Sequence, residues 1–179
     1  NEIQSDYPIS DAEIKLMAYL LGDGGLTGGS VQFSQETGAI LDEFIECAES
    51  IGCTVRHIEN SYDYRVIRYP DRRSDGIGGR GSGKHINPLI EKLKEWGMWG
   101  RSSYTKSIPE FVWKFSLRQM ALFVSRLFSC DGWAYTGEEK RKEYDGITSR
   151  RQIGLCSVSS DLAYGVQRLL LRLGVQAGK

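Results

Sequence analysis

Residues 16–24 have the sequence LMAYLLGDG, and residues 124–132 have the sequence VSRLFSCDG. Each stretch overlaps the end of a segment in which apolar residues recur at the spacing of an amphipathic helix. The first segment is 12–22 and the second is 115–130. Both helices lead directly into an aspartate and a glycine. A single Asp-Gly after a helix is most often only a turn. Two copies at matching positions of a repeated pattern instead predict a common structural role.

The first hundred residues follow an αββαββα pattern. The predicted elements are a helix over 12–22, a glycine-rich hairpin leading into a strand over 30–35, a helix over 38–51, strands over 54–59 and 62–69, and a helix over 87–96. Ser10 or Asp11 is expected to cap the first helix, and Gly52 to end the second. Val31 and Phe33 alternate with polar residues and are expected to face the core.

The second half repeats the beginning of this pattern. After the helix over 115–130, the sequence predicts a short strand over 133–136, a charged loop over 137–150, a strand over 152–158 and a helix over 162–173. In the later strand, Ile153 and Leu155 are expected to face inward. Gly174 is expected to end the last helix.

The two halves align if one insertion is allowed. Asp23 matches Asp131 at an offset of 108, whereas residues 31, 33 and 52 match 153, 155 and 174 at an offset of 122. The difference of fourteen equals the length of the loop 137–150. This register predicts a duplicated fold, with residues 1–100 as the first repeat, 101–112 as a linker and 113–179 as the second. In this interpretation the second repeat is expected to be incomplete, without the last two strands and the closing helix of the pattern.

Bulk properties limit the class of function. The net charge of the 179 residues is zero, but it is unevenly spread. Residues 1–55 carry one basic and ten acidic residues, 56–106 eleven and six, and 107–179 eleven and seven. Neutrality therefore does not exclude a nucleic acid, because local potential governs attraction to phosphate. No apolar run reaches membrane-spanning length and no secretory signal precedes the first helix, so we expect an intracellular protein of the cytoplasm or nucleoid with no membrane partner.

A third short block, KSIP at residues 106–109, precedes the second helix. Together with LMAYLLGDG and VSRLFSCDG, it resembles the motifs of LAGLIDADG homing endonucleases, in particular the nuclease domains of inteins. The resemblance implies an α+β fold whose two αββαββα repeats are related by a pseudo-twofold axis, with the second repeat truncated. It also implies a monomeric, internally pseudo-dimeric endonuclease that cuts double-stranded DNA at a long asymmetric site. Such an enzyme would belong to an intein or intron-encoded protein, with a splicing domain flanking it in the former case.

The resemblance places a catalytic centre where the two motif helices end. Asp23 and Asp131 would converge there and bind magnesium, which takes one or two carboxylates together with water and phosphate oxygens. Lys106 would stabilise charge on the scissile phosphate, and Gln35 is a candidate for positioning the attacking water. Two small neighbouring residues, which allow close approach of the helices, complete the predicted metal site: Gly22 and Cys130.

The resemblance also implies a concave sheet over the duplex. Outward strand residues would contact base edges while basic residues around them contact phosphates. The predicted strand positions are Gln32, Ser34, Arg65, Arg68 and Gln152. The predicted basic positions are Arg72, Arg73, Arg80, Lys84, Lys140, Arg141, Lys142 and Arg150.

Some alternatives remain open from the sequence. A non-cleaving DNA- or RNA-binding module of the same fold, such as a maturase or a regulator, is disfavoured by the retention of both aspartates. Residues 78–84, GGRGSGK, nearly match a P-loop, but His85 stands where Ser or Thr would bind magnesium, which favours a basic DNA-contact loop. Arg126 stands where the first helix has Ala18. Either Arg126 is turned outward or the interface between the helices is asymmetric.

Overall fold

The computed structural model describes residues 5–69, 87–140 and 147–178. In chain order the elements are α1 (Asp11–Asp23), β1 (Gly24–Gly25), β2 (Val31–Ser34), α2 (Ala39–Ser50), β3 (Cys53–His57), β4 (Asp63–Arg68), α3 (Pro88–Glu95), a 3₁₀ turn (Glu110–Lys114), α4 (Leu117–Asp131), β5 (Gly132–Lys140), β6 (Ile147–Leu155) and α5 (Ser160–Arg172). The mixed α and β composition agrees with the predicted class. The order up to α3 is the predicted αββαββα, and α4 to α5 follows the order αββα.

The helices α1 and α4 begin and end in the same way. Ser10 and Ser116 each cap a helix through a capping box, with Glu13 and Gln119 as the reciprocal partners. At the other end, Gly24 and Gly132 leave the helix in an extended conformation, with φ and ψ of −86° and 134° in one case and −85° and 153° in the other. A Cβ at either glycine would collide with the backbone carbonyl four residues earlier. Glycine is therefore required where each helix passes directly into a strand.

The strands form two antiparallel sheets. The first has the order β1-β2-β4-β3, and the second is the hairpin β5-β6. In the first sheet Gly24 pairs with Phe33, and in the second Gly132 pairs with Leu155. Gly24 and Gly132 are 108 residues apart, and Phe33 and Leu155 are 122 residues apart, so the two pairs match at the offsets found in the sequence.

The core lies between the helices and the inner face of the first sheet. Val31 and Phe33 are fully buried, as predicted, and the Phe33 ring stacks on Phe44 of α2 at a centroid distance of 4.1 Å. Tyr19 of α1 packs on both rings. On the other side, α4 contributes Phe123 and Leu127 to the same core, and α5 contributes Leu169. The two motif helices thus lie at the centre of the molecule, where their ends are held in place.

Three predictions from the strand patterns were wrong. The charged region 137–150 is not all loop, because β5 continues to Lys140 and β6 begins at Ile147. Ile153 does not face a core, since 77% of it is exposed and the described residues place no strand beside the far edge of β6. Arg68 does not share the outer face of β4 with Arg65, because residues three apart in a strand point to opposite faces.

The described helices are all too short or too polar to cross a bilayer.

Candidate active site at the paired helix ends

The ends of α1 and α4 are in direct contact through Gly22 and Cys130. A Cβ added to Gly22 would lie 2.5 Å from the Cβ of Cys130 and 3.6 Å from Oδ2 of Asp131. Gly22 and Cys130 occupy equivalent positions in the two halves, at the offset of 108. A contact between equivalent positions is what a twofold relation between two helices produces. The glycine at one of these positions allows the helices to approach closely enough to bring their aspartates together.

Asp23 and Asp131 are the last residues of α1 and α4. Burial raises the pKa of the Asp23 carboxyl, against the lowering effects of the Cys130 thiol and the Lys106 ammonium. Burial also raises the pKa of Asp131, and the negative charge of Asp23 raises it further, while Lys106 lowers it. The two carboxylates therefore repel each other in a partly dehydrated place. Such a pair is stabilised by a cation between or beside its members.

Lys106 is the cation that the chain itself supplies. Its side chain is buried, with 5% of the residue exposed, and its Nζ donates to the carbonyl oxygen of Gly22 at 2.7 Å. Burial lowers the pKa of the ammonium, while the charges of Asp131 and Asp23 raise it. The main chain is held too, because Ser159 Oγ donates to the Lys106 carbonyl at 2.6 Å and also caps α5. Lys106 thus links the end of α1 to the start of α5.

The donor set at the helix ends has the chemistry that magnesium requires. Hard divalent cations prefer carboxylate oxygens, and magnesium is commonly held by one or two carboxylates with substrate phosphate and water. Among the described residues, no group of three or more His, Cys, Asp or Glu side chains is arranged to hold a metal. Zinc usually takes three or four protein ligands, mostly thiolate and imidazole, whereas the helix ends bring two carboxylates together. The thiol of Cys130 suits magnesium poorly, because thiolates are soft ligands and burial raises its pKa well above the ordinary value.

The predicted residues on the first sheet divide between its two faces. Gln32 pairs with Arg65, which pairs with Arg56, so these three form one row on the outer face. Ser34 lies on the same face and donates to Asp63 at 2.5 Å. Gln35 follows β2, and its Oε1 accepts from the backbone N–H of Glu36 at 3.0 Å. This local hydrogen bond leaves the proposed water-positioning role of Gln35 a prediction.

Several predicted phosphate contacts lie outside the described residues. These are Arg72, Arg73, Arg80, Lys84, Arg141 and Lys142, together with the near match to a P-loop at 78–84. For Lys140 and Arg150, which lie within β5 and β6, only the strand position is described. Gln152 is exposed and pairs with Tyr135. Its contact with DNA stays a prediction.

The sequence did not reveal the polar cluster around Glu43 of α2. Arg126 donates to both carboxylate oxygens of Glu43, at 2.6 and 2.8 Å, and Lys15 lies 2.8 Å from one of them. Tyr19 donates to the same carboxylate. Hydrogen bonds from Arg126 are the largest cause that lowers the pKa of Glu43 to about 2. The unusual Arg126 was the available signal, and its partner lies 83 residues away in the sequence.

Among the described residues of the second half, this cluster has no counterpart, so the interface between the helices is asymmetric there. The offset of 122 relates Glu43 to Gly165 of α5. A Cβ at Gly165 would lie 2.5 Å from Cγ1 of Ile108, which belongs to the KSIP block. Ile108 therefore packs at the position that, by this offset, corresponds to Glu43. Arg126 is neither turned away from the protein nor packed as Ala18 is.

Comparisons with known proteins agree with this geometry. Residues 118–178, from α4 to the end of the described chain, match the family described as a LAGLIDADG-like domain. The chain is also similar to the replicative DNA helicase DnaB of Synechocystis sp. (28% identity over 173 residues) and to the protein RecA of Mycobacterium tuberculosis (27% over 176 residues). Each match covers 94% of this chain but only 18% or 19% of the relative, so the chain spans about a fifth of the length of the curated relatives it matches. Residues 118–178 are therefore similar to a LAGLIDADG-like domain, and this matched part contains most of α4, the second of the two motif helices.

Proposed function

We propose that this chain is a site-specific endonuclease that hydrolyses both strands of a DNA duplex with magnesium at the paired ends of α1 and α4. The observation that carries the proposal is the meeting of Asp23 and Asp131 at these ends, with the Lys106 ammonium acting on both carboxylates. The family match to residues 118–178 supports the same activity.

Each residue of the centre has a role in this proposal. Asp23 and Asp131 would hold magnesium, which would supply Lewis acidity at the scissile phosphates. Lys106, fixed by Gly22 and Ser159, would place a positive charge beside a phosphate oxygen as negative charge builds up there. Gly22 and Cys130 would set the distance between the carboxylates by packing rather than by binding the metal. Gln35 would assist in positioning water.

The DNA would lie across the outer faces of the two sheets. Each motif helix leads without a break into the first strand of its sheet, so the sheets flank the proposed centre. On the first sheet, Gln32 and Arg65 would contact base edges in the major groove. Because the second sheet carries different residues, the target is expected to be asymmetric and long enough to cover both. The pseudo-twofold relation of the motif helices would allow one chain to act on both strands as a monomer.

We further propose that the chain is an inserted element, of the intein or intron-encoded kind, within a larger protein. The support is that nearly the whole chain matches about a fifth of two proteins with different names, a replicative helicase and RecA. A segment shared by differently named proteins is what insertion of one mobile element would produce. Protein splicing itself would then require residues other than those that form this site.

The decisive experiment is cleavage of a plasmid library carrying randomised duplex inserts, with and without magnesium. The parent is expected to linearise a defined subset of the library only with magnesium, and Asp23→Asn and Asp131→Asn are expected to abolish this. Asp42→Asn, which changes an exposed aspartate in the first turn of α2, serves as the matched control and should cut like the parent. Selective binding of duplexes without any cleavage would overturn the nuclease proposal in favour of a non-cleaving DNA- or RNA-binding module.

A further inference from the structure

Two aromatic rings lie exposed on the outer face of the β5-β6 hairpin. Trp133 is 45% exposed and Tyr135 is 53% exposed. Both rings lie against glycines, because a Cβ at Gly154 would come within 2.5 Å of the Trp133 indole and a Cβ at Gly137 within 2.5 Å of Cζ of Tyr135. Gly154 is the cross-strand partner of Trp133, and Gly137 is two residues beyond Tyr135 on the same face. The glycines thus let the rings lie flat on the strands, which forms an apolar platform of Trp133 and Tyr135.

The platform occupies the place that a polar surface occupies on the first sheet. By the two offsets, Trp133 corresponds to Gly25 and Gly154 corresponds to Gln32. Gly25 and Gln32 pair in the first sheet as Trp133 and Gly154 pair in the second. The first sheet therefore presents a row of amide and guanidinium groups where the second presents ring faces. The two faces cannot recognise the same pattern of base edges.

The platform is also close to the proposed catalytic centre. Trp133 is two residues from Asp131, with only Gly132 between them. A duplex whose phosphates reach the aspartates would pass over these rings if it follows the outer face of the second sheet. In the major groove, the C5-methyl group of thymine is the apolar group on a base edge, and apolar side chains contact it.

We propose that the platform recognises thymine methyl groups in the half of the target that lies over the second sheet. This inference rests on the proposed function, because it assumes that duplex DNA occupies the outer faces. Gln152, which is exposed on the same face opposite Tyr135, lies where it can contact an adjacent base edge. The first sheet instead recognises hydrogen-bonding groups, so the two halves of the target differ in chemistry as well as in sequence.

The test compares thymidine with deoxyuridine, which lacks only the methyl group. Duplexes that the parent binds are first selected from a randomised library in the absence of magnesium. The selected duplex is then synthesised with deoxyuridine in place of thymidine in one half or in the other. Burying one methyl group is worth about 0.8 kcal/mol, so each contacted methyl that is removed is expected to weaken binding about fourfold. The loss is expected in one half only.

Variants then test whether the platform causes the loss of binding in that half of the duplex. Trp133→Gln with Tyr135→Thr is expected to bind the thymidine and deoxyuridine duplexes equally. Ile153→Thr removes an exposed apolar side chain from the other face of the same hairpin and should keep the parent's preference. The preference for thymidine over deoxyuridine is first measured on the parent, so this part of the test does not require any variant to fold.

The possible outcomes separate this inference from the proposed function. If the parent binds no duplex, both are overturned. If it binds a defined duplex with equal affinity for thymidine and deoxyuridine in both halves, only the platform inference falls. A preference that survives in the Trp133/Tyr135 variant also overturns it. Self-association that disappears in this variant and that duplex DNA does not displace would instead mark the rings as an interface between two copies of the chain.

Discussion

The two halves of the molecule agree closely at the motif helices and diverge in the sheets beside them. Val31 and Ile153 are equivalent by register, yet the first is fully buried and the second is 77% exposed. Val31 pairs with Val66 of β4, whereas in the second sheet the described residues place only β5 beside β6. The alternating pattern of a strand therefore predicts which residues share a face. Whether that face is buried depends on the neighbouring strands and helices. The helix ends stay alike because each must turn directly into a strand through a glycine.

The largest expected effect would test whether the two halves are equal at the centre. Asp23→Asn and Asp131→Asn are each expected to lower the rate of double-strand cleavage by a factor on the order of 10³, because each removes one of the two carboxylates proposed to hold magnesium. The measurement is single-turnover cleavage of a labelled duplex, with each strand followed separately. A loss confined to one of the two variants would show that the centre is not shared by the two halves.

The same variants are expected to stabilise the metal-free protein at neutral pH. Burial raises the pKa of both carboxyls in the folded state, so folding binds protons and stability falls as pH rises above the ordinary aspartate value. Replacing either aspartate by a neutral amide removes this unfavourable contribution. Thermal unfolding of the parent and both variants in a chelator at pH 7 would check it. A lower midpoint in both variants would contradict the proposed repulsion.

A smaller loss is expected at Lys106, which lies between the two motif helices in the sequence. Lys106→Met should lower cleavage by about 10²-fold, because it removes the positive charge that is proposed to lie beside the phosphate. Because burial lowers the pKa of this ammonium, parent activity should decline on the alkaline side at a pH below the ordinary lysine value of 10.5. The pH dependence of single-turnover rates measures this decline. An alkaline limb that is unchanged in Lys106→Met would assign it to another group.

The contact between equivalent helix positions can be tested by exchanging its members. Gly22→Ala is expected to destabilise the fold by about 1 to 3 kcal/mol, because the new methyl would overlap the Cys130 side chain. Cys130→Gly in the same chain should recover much of that loss by removing the obstructing Cβ. Urea unfolding of the single and double variants gives the coupling free energy. Gly28→Ala is the control, since the nearest atom to its new Cβ would be 3.8 Å away. Additive effects at 22 and 130 would argue against the close contact.

Much of the fold could be predicted from the sequence because it depends on local patterns. Helical spacing and the capping serines predicted α1 and α4, and the paired offsets predicted which residues of the two halves are equivalent. The pairing of the strands within each sheet was not predicted. The contact of Gly22 with Cys130 followed from the same alignment. The partner of Arg126 did not, because a charge pair between residues far apart in the sequence leaves no periodic signal. The exposure of Ile153 was missed because it depends on neighbours that its own strand does not specify.

The smallest expected effect concerns the cluster that makes the motif helices unequal. Arg126→Ala gives α4 the residue that α1 has at Ala18, and it removes two hydrogen bonds to a partly buried Glu43 carboxylate. The expected loss of unfolding free energy is about 1 to 2 kcal/mol at pH 7, since partial exposure weakens the pair.

The same pair makes the stability depend on pH. The folded-state pKa of Glu43 is lowered to about 2, so the stability that Glu43 contributes is fully present above the ordinary glutamate pKa of 4.5 and is lost as pH falls toward 2. Unfolding free energies of the parent and the variant should therefore converge between pH 4.5 and 2. Arg126→Lys, which keeps the charge but not the paired hydrogen bonds, should fall between them. A difference that does not change with pH would mean that Arg126 stabilises α4 by packing of its alkyl chain, and that the asymmetry of the helices does not depend on the charge of Glu43.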